Sequence, residues 1–334
     1  MALCLDMTRR MPTRGYVVAL LVLGLAGAAG CNPVNRGGWT RETVDVPGDL
    51  YAVRALRNDR QLAVGDGSTT LANVDGTWRA RNLGGNDPLR ALFGLNETDV
   101  MIVGGAPGRG VAWRTDDGFF RYTAQALPGG TLALHAIHGS SMRDLWAVGD
   151  GPTAVRFDGT NWSPAPLTVP TGLTDVSLRG VHCTADNACL AVGTQGVLAR
   201  WDGARWTLSV ALDGRTLNAV DWLNDAWLVA GDGGLLLRVD AAGTVSQQES
   251  PESSRALLAL YVAGGNDAWA LGAVPREGGQ PVENGQAAVL RLEGTAAWRT
   301  EDGLKSDRDL TGIHGLGGSL WAVGRGGTLF RSSR

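Results

Sequence analysis

The run DLWAVG at Asp144–Gly149 is the clearest indication of the fold, because it recurs as DAWALG at Asp267–Gly272 and as SLWAVG at Ser319–Gly324. Looser copies end at Gly65, Gly104, Gly193 and Gly231. Before each copy lies another apolar run that begins with leucine, and the seven leucines are separated by 39, 45, 44, 39, 40 and 53 residues. They are Leu50, Leu89, Leu134, Leu178, Leu217, Leu257 and Leu310. A recurring period of about 40 residues predicts a repeat array.

Each repeat contains four short apolar runs joined by turn residues. The third run often ends in Asp-Gly, as in Ala154–Gly159 and Leu198–Gly203, and an aromatic-bearing fourth run follows. Asp-Gly between alternating runs indicates a hairpin, because a type I′ turn needs positive φ at both central residues. The repeats show no helical period. They therefore predict an all-β fold, a seven-bladed β-propeller of four-stranded blades that covers residues 38–334.

The last repeat predicts how the ring closes. It runs from Leu310 to Arg334 and contains only three strands, while a suitable fourth strand lies at Gly38–Val46, just before the first repeat. Pairing these two ends of the chain in one blade would close the ring and remove the exposed sheet edges of an open array.

The first thirty residues have the parts of a secretory signal peptide, which is predicted to be cleaved. Arg9, Arg10 and Arg14 form a basic region, and an apolar run and small residues then lead to Cys31. The uncharged stretch at residues 15–30 is shorter than the roughly 20 residues that a membrane-spanning helix needs. Export is therefore predicted, without a spanning helix.

The ending Ala28-Ala29-Gly30-Cys31 resembles the lipobox of bacterial lipoproteins, although that family usually has an aliphatic residue at the position of Ala28. The resemblance implies that Cys31 is acylated, that residues 31–37 form a short lipidated tether, and that the acyl chains hold the protein on a membrane. Asn32 in place of Asp favours, by the same resemblance, the outer membrane on its periplasmic or cell-surface side. An ordinary cleaved signal with an incidental Cys31 is the alternative.

Charge and cysteine usage exclude further classes. The chain has 30 Lys and Arg against 33 Asp and Glu, a net charge of −3, so it lacks the basic footprint of a nucleic-acid binder.

Cys183 and Cys189 flank a short segment and are expected to form a disulfide in an oxidising compartment. No phosphate loop, dinucleotide fingerprint or nucleophile elbow is present, and no cofactor is predicted.

The repeats resemble the Trp-Ala-Val-Gly repeats of seven-bladed propellers in exported bacterial proteins, including lipoproteins and photosystem assembly factors. This resemblance covers residues 38–334 and implies a ring closed by a single chain, which we expect to be monomeric. It implies little about function, because propellers perform unrelated tasks.

The strand directions predict which face of the ring meets a partner. Trp39 begins the outermost strand on the face that carries the Asp-Gly hairpins, and the short tether can reach at most about 25 Å when extended. The opposite face carries the blade-to-blade connections and the insertion at residues 273–286, and we expect it to face outward. The candidate binding residues on that face are Arg90, His135, Arg179 and Asn218 in the inner strands, and Arg276, Glu277 and Glu283 in the insertion.

Two further clusters have competing interpretations. His138, His182 and Asp221 occupy the fifth position of consecutive inner strands and could hold a metal, but we favour packing between blades and predict no metal. An arginine recurs in the third strands, and structural pairing with aspartates that open the second strands is favoured over an anion site. These arginines are Arg156, Arg200, Arg238 and Arg291.

Together these features predict a non-catalytic, lipid-anchored scaffold that binds another envelope protein through its outward face. A carbohydrate- or small-ligand-binding module at the mouth of the central channel is the alternative, and an enzyme is the third hypothesis.

Overall fold

The computed structural model describes residues 38–333, except 166, 186–187, 212–213 and 295–296. Seven four-stranded antiparallel sheets form the blades of a propeller, as predicted. The inner strand of each blade contacts the inner strands of both neighbouring blades, and this closed circuit surrounds a central channel. The predicted signal peptide, Cys31 and the tether lie outside the described residues.

Within each blade the strands are ordered from the channel outward. Blade 1 has Leu50–Arg57, Arg60–Gly65, Thr69–Val74 and Thr77–Asn82; blade 2 has Leu89–Asn96, Asp99–Ala106, Arg109–Thr115 and Thr123–Gln125; blade 3 has Leu134–Ser141, Asp144–Gly149, Ala154–Phe157 and Trp162–Pro164; blade 4 has Leu178–Cys183, Cys189–Gly193, Val197–Trp201 and Trp206–Val210. Blade 5 has Leu217–Leu223, Ala226–Gly231, Leu236–Asp240 and Val245–Gln247; blade 6 has Leu257–Gly264, Asp267–Gly272, Val289–Leu292 and Arg299–Thr300; blade 7 has Leu310–Leu316, Ser319–Gly324, Thr328–Ser333 and Trp39–Arg41. A separate hairpin, Arg276–Glu277 with Gln280–Pro281, lies in the blade 6 insertion, and short 3₁₀ turns occupy Thr194–Gly196, Asp232–Gly234 and Arg325–Gly327.

Blade 7 joins the two ends of the propeller, as predicted. Trp39 pairs with Ser332 and Arg41 with Phe330. The closing strand is shorter than predicted, because it ends at Arg41 and not at Val46. The chain then crosses toward blade 1, where Val44 and Val46 pack against the core that blades 1 and 7 share.

Close backbone approach explains the glycine found at or near the end of each second strand. A Cβ atom at Gly149 would lie 1.9 Å from the carbonyl oxygen of Ala133, and one at Gly193 would lie 2.1 Å from that of Ser177. In both places the chain that enters the inner strand passes directly over the glycine. No side chain fits at these positions, because the incoming carbonyl oxygen lies where a Cβ atom would be. The same carbonyl accepts a hydrogen bond from the residue after the glycine, as when Asp150 N donates to Ala133 O at 2.9 Å.

The expected disulfide is present between Cys183 and Cys189, which face each other across the first hairpin of blade 4. Structural pairing of the third-strand arginines is also observed in three of the four blades. Arg156 lies 2.7 Å from Asp144, Arg291 lies 3.3 Å from Asp267, and Arg238 pairs with Asp225. Arg200 instead donates to the carbonyl of Ala241 in blade 5, because the second strand of its own blade opens with Cys189 and not with an aspartate.

Candidate functional site

The central channel contains two chambers. A ring of apolar side chains from the fourth position of the inner strands separates them: Val53, Leu92, Ile137, Val181, Val220, Leu260 and Ile313. We call the face with the blade connections the connection face and the opposite one the hairpin face. The connection-side chamber has a volume of about 240 Å³, and the hairpin-side chamber has a volume of about 410 Å³.

The connection-side chamber brings together four of the seven predicted binding residues. Side chains from the second position of all seven inner strands line it: Tyr51, Arg90, His135, Arg179, Asn218, Leu258 and Thr311. This position lies at the start of each inner strand, just inside the mouth, so the alternation of the strand directs one polar group per blade toward the opening.

Three aspartates in the turns between the second and third strands hydrogen-bond to residues of this polar ring. Each follows the glycine of a second strand and bonds to the second-position side chain of its own blade. The Tyr51 hydroxyl donates to Asp66 Oδ1 at 2.7 Å, His135 Nε2 lies 2.6 Å from Asp150 Oδ1, and Asn218 Nδ2 donates to Asp232 Oδ1 at 3.0 Å. The signal was present as Gly-Asp-Gly in blades 1, 3 and 5, which are the blades with these partners.

His135 and Asp150 form a half-buried pair in which the imidazole donates a hydrogen bond to the carboxylate. Ser177 Oγ also donates to Asp150 Oδ1, at 2.7 Å. Burial lowers the pKa of His135 and outweighs the opposing effect of Asp150, while Arg179 and Arg90 lower that pKa further. Burial alone would raise the pKa of Asp150, but hydrogen bonds from His135 and Ser177 lower it overall. The imidazole is thus neutral near pH 7 and holds a fixed hydrogen bond to an ionised carboxylate.

Arg90 and Arg179 stand on either side of His135, in blades 2 and 4, and differ from the other mouth residues. No acidic group of the described residues lies within ion-pair distance of either guanidinium. Arg90 packs over the ring of Tyr51 with its Cζ 5.1 Å from the centroid, and its buried Nε has no hydrogen-bond partner among the described residues. Arg179 is exposed. The chamber mouth therefore presents two guanidinium groups that form no ion pair within the described residues, although the charge of Asp150 acts on Arg179 from a distance.

The other three predicted binding residues lie outside this chamber. Arg276 Nη2 pairs with the buried Asp309 at 2.7 Å, and Asp309 also accepts from Val274 N at 2.9 Å. Glu277 and Glu283 are exposed on the insertion. Arg276 thus fastens the insertion to blade 7, so its charge is already matched, and the two glutamates are exposed acidic groups of this segment.

The hairpin-side chamber contains the cluster of His138, His182 and Asp221. His138 Nδ1 accepts a hydrogen bond from Cys183 N at 3.0 Å, and Asp221 Oδ2 accepts one from Val262 N at 2.8 Å. Both bonds reach the next blade, as expected for packing between blades. Asp221 Oδ1 is also occupied, by Trp222 N at 2.7 Å. In the part of the chain that the structure describes, no group of three or more His, Cys, Asp or Glu side chains is arranged to hold a metal ion.

Comparison with known proteins bears on the fold. No protein-family profile and no curated protein matches the sequence. Among solved structures, the chain is similar to YCF48 bound to D1 peptide, with a TM-score of 0.69 and 17% identity over 89% of this chain and 95% of that chain. It is also similar to YCF48 from Cyanidioschyzon merolae, with a TM-score of 0.68 and 16% identity over 89% of this chain and 99% of that one. The predicted resemblance to a photosystem assembly factor is confirmed for the fold.

A third similar structure is an enzyme. Virginiamycin B lyase from Staphylococcus aureus has a TM-score of 0.72 and 14% identity, over 89% of this chain and 99% of that chain. The same architecture thus occurs in a peptide-bound protein and in a lyase, and the fold alone does not decide between binding and catalysis. Within residues 38–333, as far as they are described, no helix is long and apolar enough to cross a membrane.

Proposed function

We propose that this chain is a lipid-anchored, non-catalytic propeller of the bacterial outer membrane that binds another envelope protein through its connection face. The observation that carries the proposal is the pair Arg90 and Arg179, two guanidinium groups at the chamber mouth without an acidic partner among the described residues. Surface arginines of this kind form bidentate hydrogen bonds with carboxylates. The surface of the partner is therefore expected to present acidic side chains or a chain terminus.

Orientation supports the use of this face. Trp39 starts the closing strand on the hairpin face, and only seven residues separate it from Cys31. If Cys31 is acylated, the hairpin face lies near the membrane and the connection face is directed away from it. A partner in the envelope would then meet Arg90 and Arg179 without competing with the bilayer.

The arrangement around His135 supports binding over catalysis. In a serine hydrolase the nucleophilic hydroxyl donates to the histidine, and the carboxylate holds the other side of the ring. Here the Ser177 hydroxyl donates to the carboxylate of Asp150, the same group that binds His135 Nε2. The Ser177 hydroxyl is therefore directed to Asp150 and not to the histidine, so these three groups do not form the relay of a serine hydrolase.

The test is a crosslinked pull-down from native membranes with the full chain and with the double variant Arg90→Gln/Arg179→Gln. Arg79→Gln/Arg143→Gln is the matched control, because it removes the same charge from exposed positions away from the chamber. We expect the wild type and the control to capture the same protein and the double variant to lose it. Equal capture by all three chains would show that this mouth is not the binding surface.

A carbohydrate or small ligand at the same mouth is the second candidate, and the open polar chamber of about 240 Å³ favours it. Titration calorimetry with soluble envelope glycans separates the two. Saturable heat that disappears in Asn218→Ala, together with an unchanged pull-down in the arginine double variant, would favour the ligand over the protein partner.

A further inference from the structure

The planar side chains at the level of the hairpin-side chamber pack face to face or edge to face around the channel, and all of those named here except the buried Phe93 line the chamber. Arg54 Cζ lies 4.6 Å from the centroid of the Phe93 ring, Phe93 lies 4.7 Å from His138, and His138 stacks on His182 at 4.0 Å. On the far side, His314 lies 4.9 Å from the ring of Tyr261. Because the faces are used for packing, the polar edges of these groups are what the chamber can offer to a ligand.

Two of the histidines have a defined tautomer. Cys183 N donates to His138 Nδ1 at 3.0 Å, and Ala55 N donates to His314 Nδ1 at 3.2 Å. A nitrogen that accepts a hydrogen bond from a backbone amide carries no hydrogen, so in the neutral ring the hydrogen is on Nε2. Burial lowers the pKa of both histidines well below 6.5, so both are neutral at pH 7. His138 and His314 are therefore two neutral N–H donors in the chamber wall, and neither Nε2 has a lone pair for a metal.

Arg54 supplies a charge that the chamber does not neutralise by contact. Its Nε donates to Gly94 O at 2.6 Å, whereas neither terminal nitrogen lies within ion-pair distance of an acidic group of the described residues. Burial lowers the pKa of Arg54 to about 10, and Asp221 opposes this only through its charge at a distance. A desolvated guanidinium that is still charged at pH 7 is a strong site for an anion.

Three other polar side chains face the chamber. Asp221 and Tyr261 already form hydrogen bonds within the protein, whereas His182 complements the donors with an acceptor. Asp221 accepts hydrogen bonds from Val262 N and Trp222 N, and its Oδ1 lies 3.0 Å from His182 Nδ1. Tyr261 donates its hydroxyl to Gly315 O at 2.7 Å. Because the carboxylate can only accept, His182 Nδ1 donates to it, and in an imidazole with this single hydrogen Nε2 is an acceptor. The wall thus combines one guanidinium, two N–H donors and one acceptor.

We propose that the hairpin-side chamber binds a phosphate group that retains one hydroxyl, held by Arg54, His138 and His314 and donating its O–H to His182. A tetrahedral oxyanion has enough oxygens for all three donors, and hydrogen phosphate has the one donor that the single acceptor requires. Sulfate has the same shape but no O–H at pH 7, so it leaves His182 Nε2 unpaired. The volume of about 410 Å³ admits a small phosphorylated molecule as well as the inorganic ion. This site is independent of the partner-binding face.

Isothermal titration of the full chain in detergent with inorganic phosphate, and separately with sulfate, tests the proposal. Phosphate should bind about 10-fold or more tightly than sulfate, the usual effect of one unpaired buried acceptor. Arg54→Gln should weaken phosphate binding by about 10-fold or more, the effect of removing one charged hydrogen-bond donor. Arg143→Gln, which removes an exposed charge from the hairpin face, should leave it unchanged.

A second variant covers the case in which Arg54→Gln does not fold. In His138→Asn the amide oxygen can still accept from Cys183 N, but the ring-edge N–H is lost, so phosphate binding should weaken while the fold persists. In the wild type, the ¹⁵N signals of the His138 and His314 side chains should shift on phosphate addition. Phosphate binding that is absent, equal to that of sulfate, or unaffected in His138→Asn would overturn the assignment.

Discussion

Replacing Trp39 by alanine should weaken the closure of the ring more than the loss of an ordinary surface side chain. Trp39 is 3% exposed and meets Trp269 of blade 6 edge-on, with centroids 5.8 Å apart. It shares a cluster with Leu304 and Phe330, while its own strand has only three residues. An aromatic side chain buries about 200 Å², worth about 5 kcal/mol at about 25 cal/mol/Å². Allowing for partial collapse of the cavity, we expect a loss of about 3–5 kcal/mol in the free energy of unfolding.

Urea unfolding followed by far-UV circular dichroism measures this loss, and amide hydrogen exchange shows where it acts. The amide of Glu42, which donates to Leu329 O, should exchange faster in Trp39→Ala. Trp78→Ala is the matched control, because Trp78 lies in the outermost strand of blade 1 but is only half-buried and closes no ring. A smaller loss for Trp39→Ala than for Trp78→Ala, with unchanged exchange at Glu42, would refute a closing role for this strand.

Three further outcomes follow from single contacts. Reducing the disulfide, or replacing Cys183 and Cys189 by serine, should cost about 2 kcal/mol or less because the closed loop is short, and thermal unfolding with and without reductant measures it; a loss of stability well above this value would contradict the estimate. Asp309→Asn should lower the free energy of unfolding by about 2 kcal/mol, because the buried carboxylate loses its charge beside the half-exposed Arg276 and Arg325. The variant should also be cleaved faster by protease at residues 276–285, and equal cleavage of wild type and variant would count against this prediction. Because the pKa values of His138 and His314 are lowered in the folded state, the unfolded chain binds more protons below about pH 6.5 and stability should fall there, whereas the double His→Asn variant should show a flatter urea midpoint against pH.

The division of the channel has a physical cause that unites its two chambers. The fourth position of every inner strand is aliphatic, while the second and fifth positions are mostly polar, so one apolar layer lies between two polar layers. The connection-side mouth presents charged groups to the surface of a partner, and the hairpin-side chamber presents a set of hydrogen-bond donors to a small anion. The two sites can therefore be altered separately by mutation.

The candidate site was predicted only in part. The second-position residues could be found from the repeat, because strand alternation alone places Arg90, His135, Arg179 and Asn218 at one level. Their partners could not, since a hydrogen bond such as His135 to Asp150 depends on how a turn folds back over the inner strand. Arg276 is a second example. The sequence indicated an exposed binding residue in the insertion, but the packing of blade 6 against blade 7 brings Asp309 within ion-pair distance of its guanidinium.

The amino-acid sequence alone determined the number of blades, the direction of each strand and the blade that joins both ends of the chain, because these follow from period, alternation and turn chemistry, which act over a few residues. Only the tertiary structure decided which charges stay unpaired and which ring nitrogens carry a hydrogen. Those properties depend on contacts between residues of different blades, such as Ala55 N with His314 Nδ1, and no local pattern specifies a neighbour so distant along the chain.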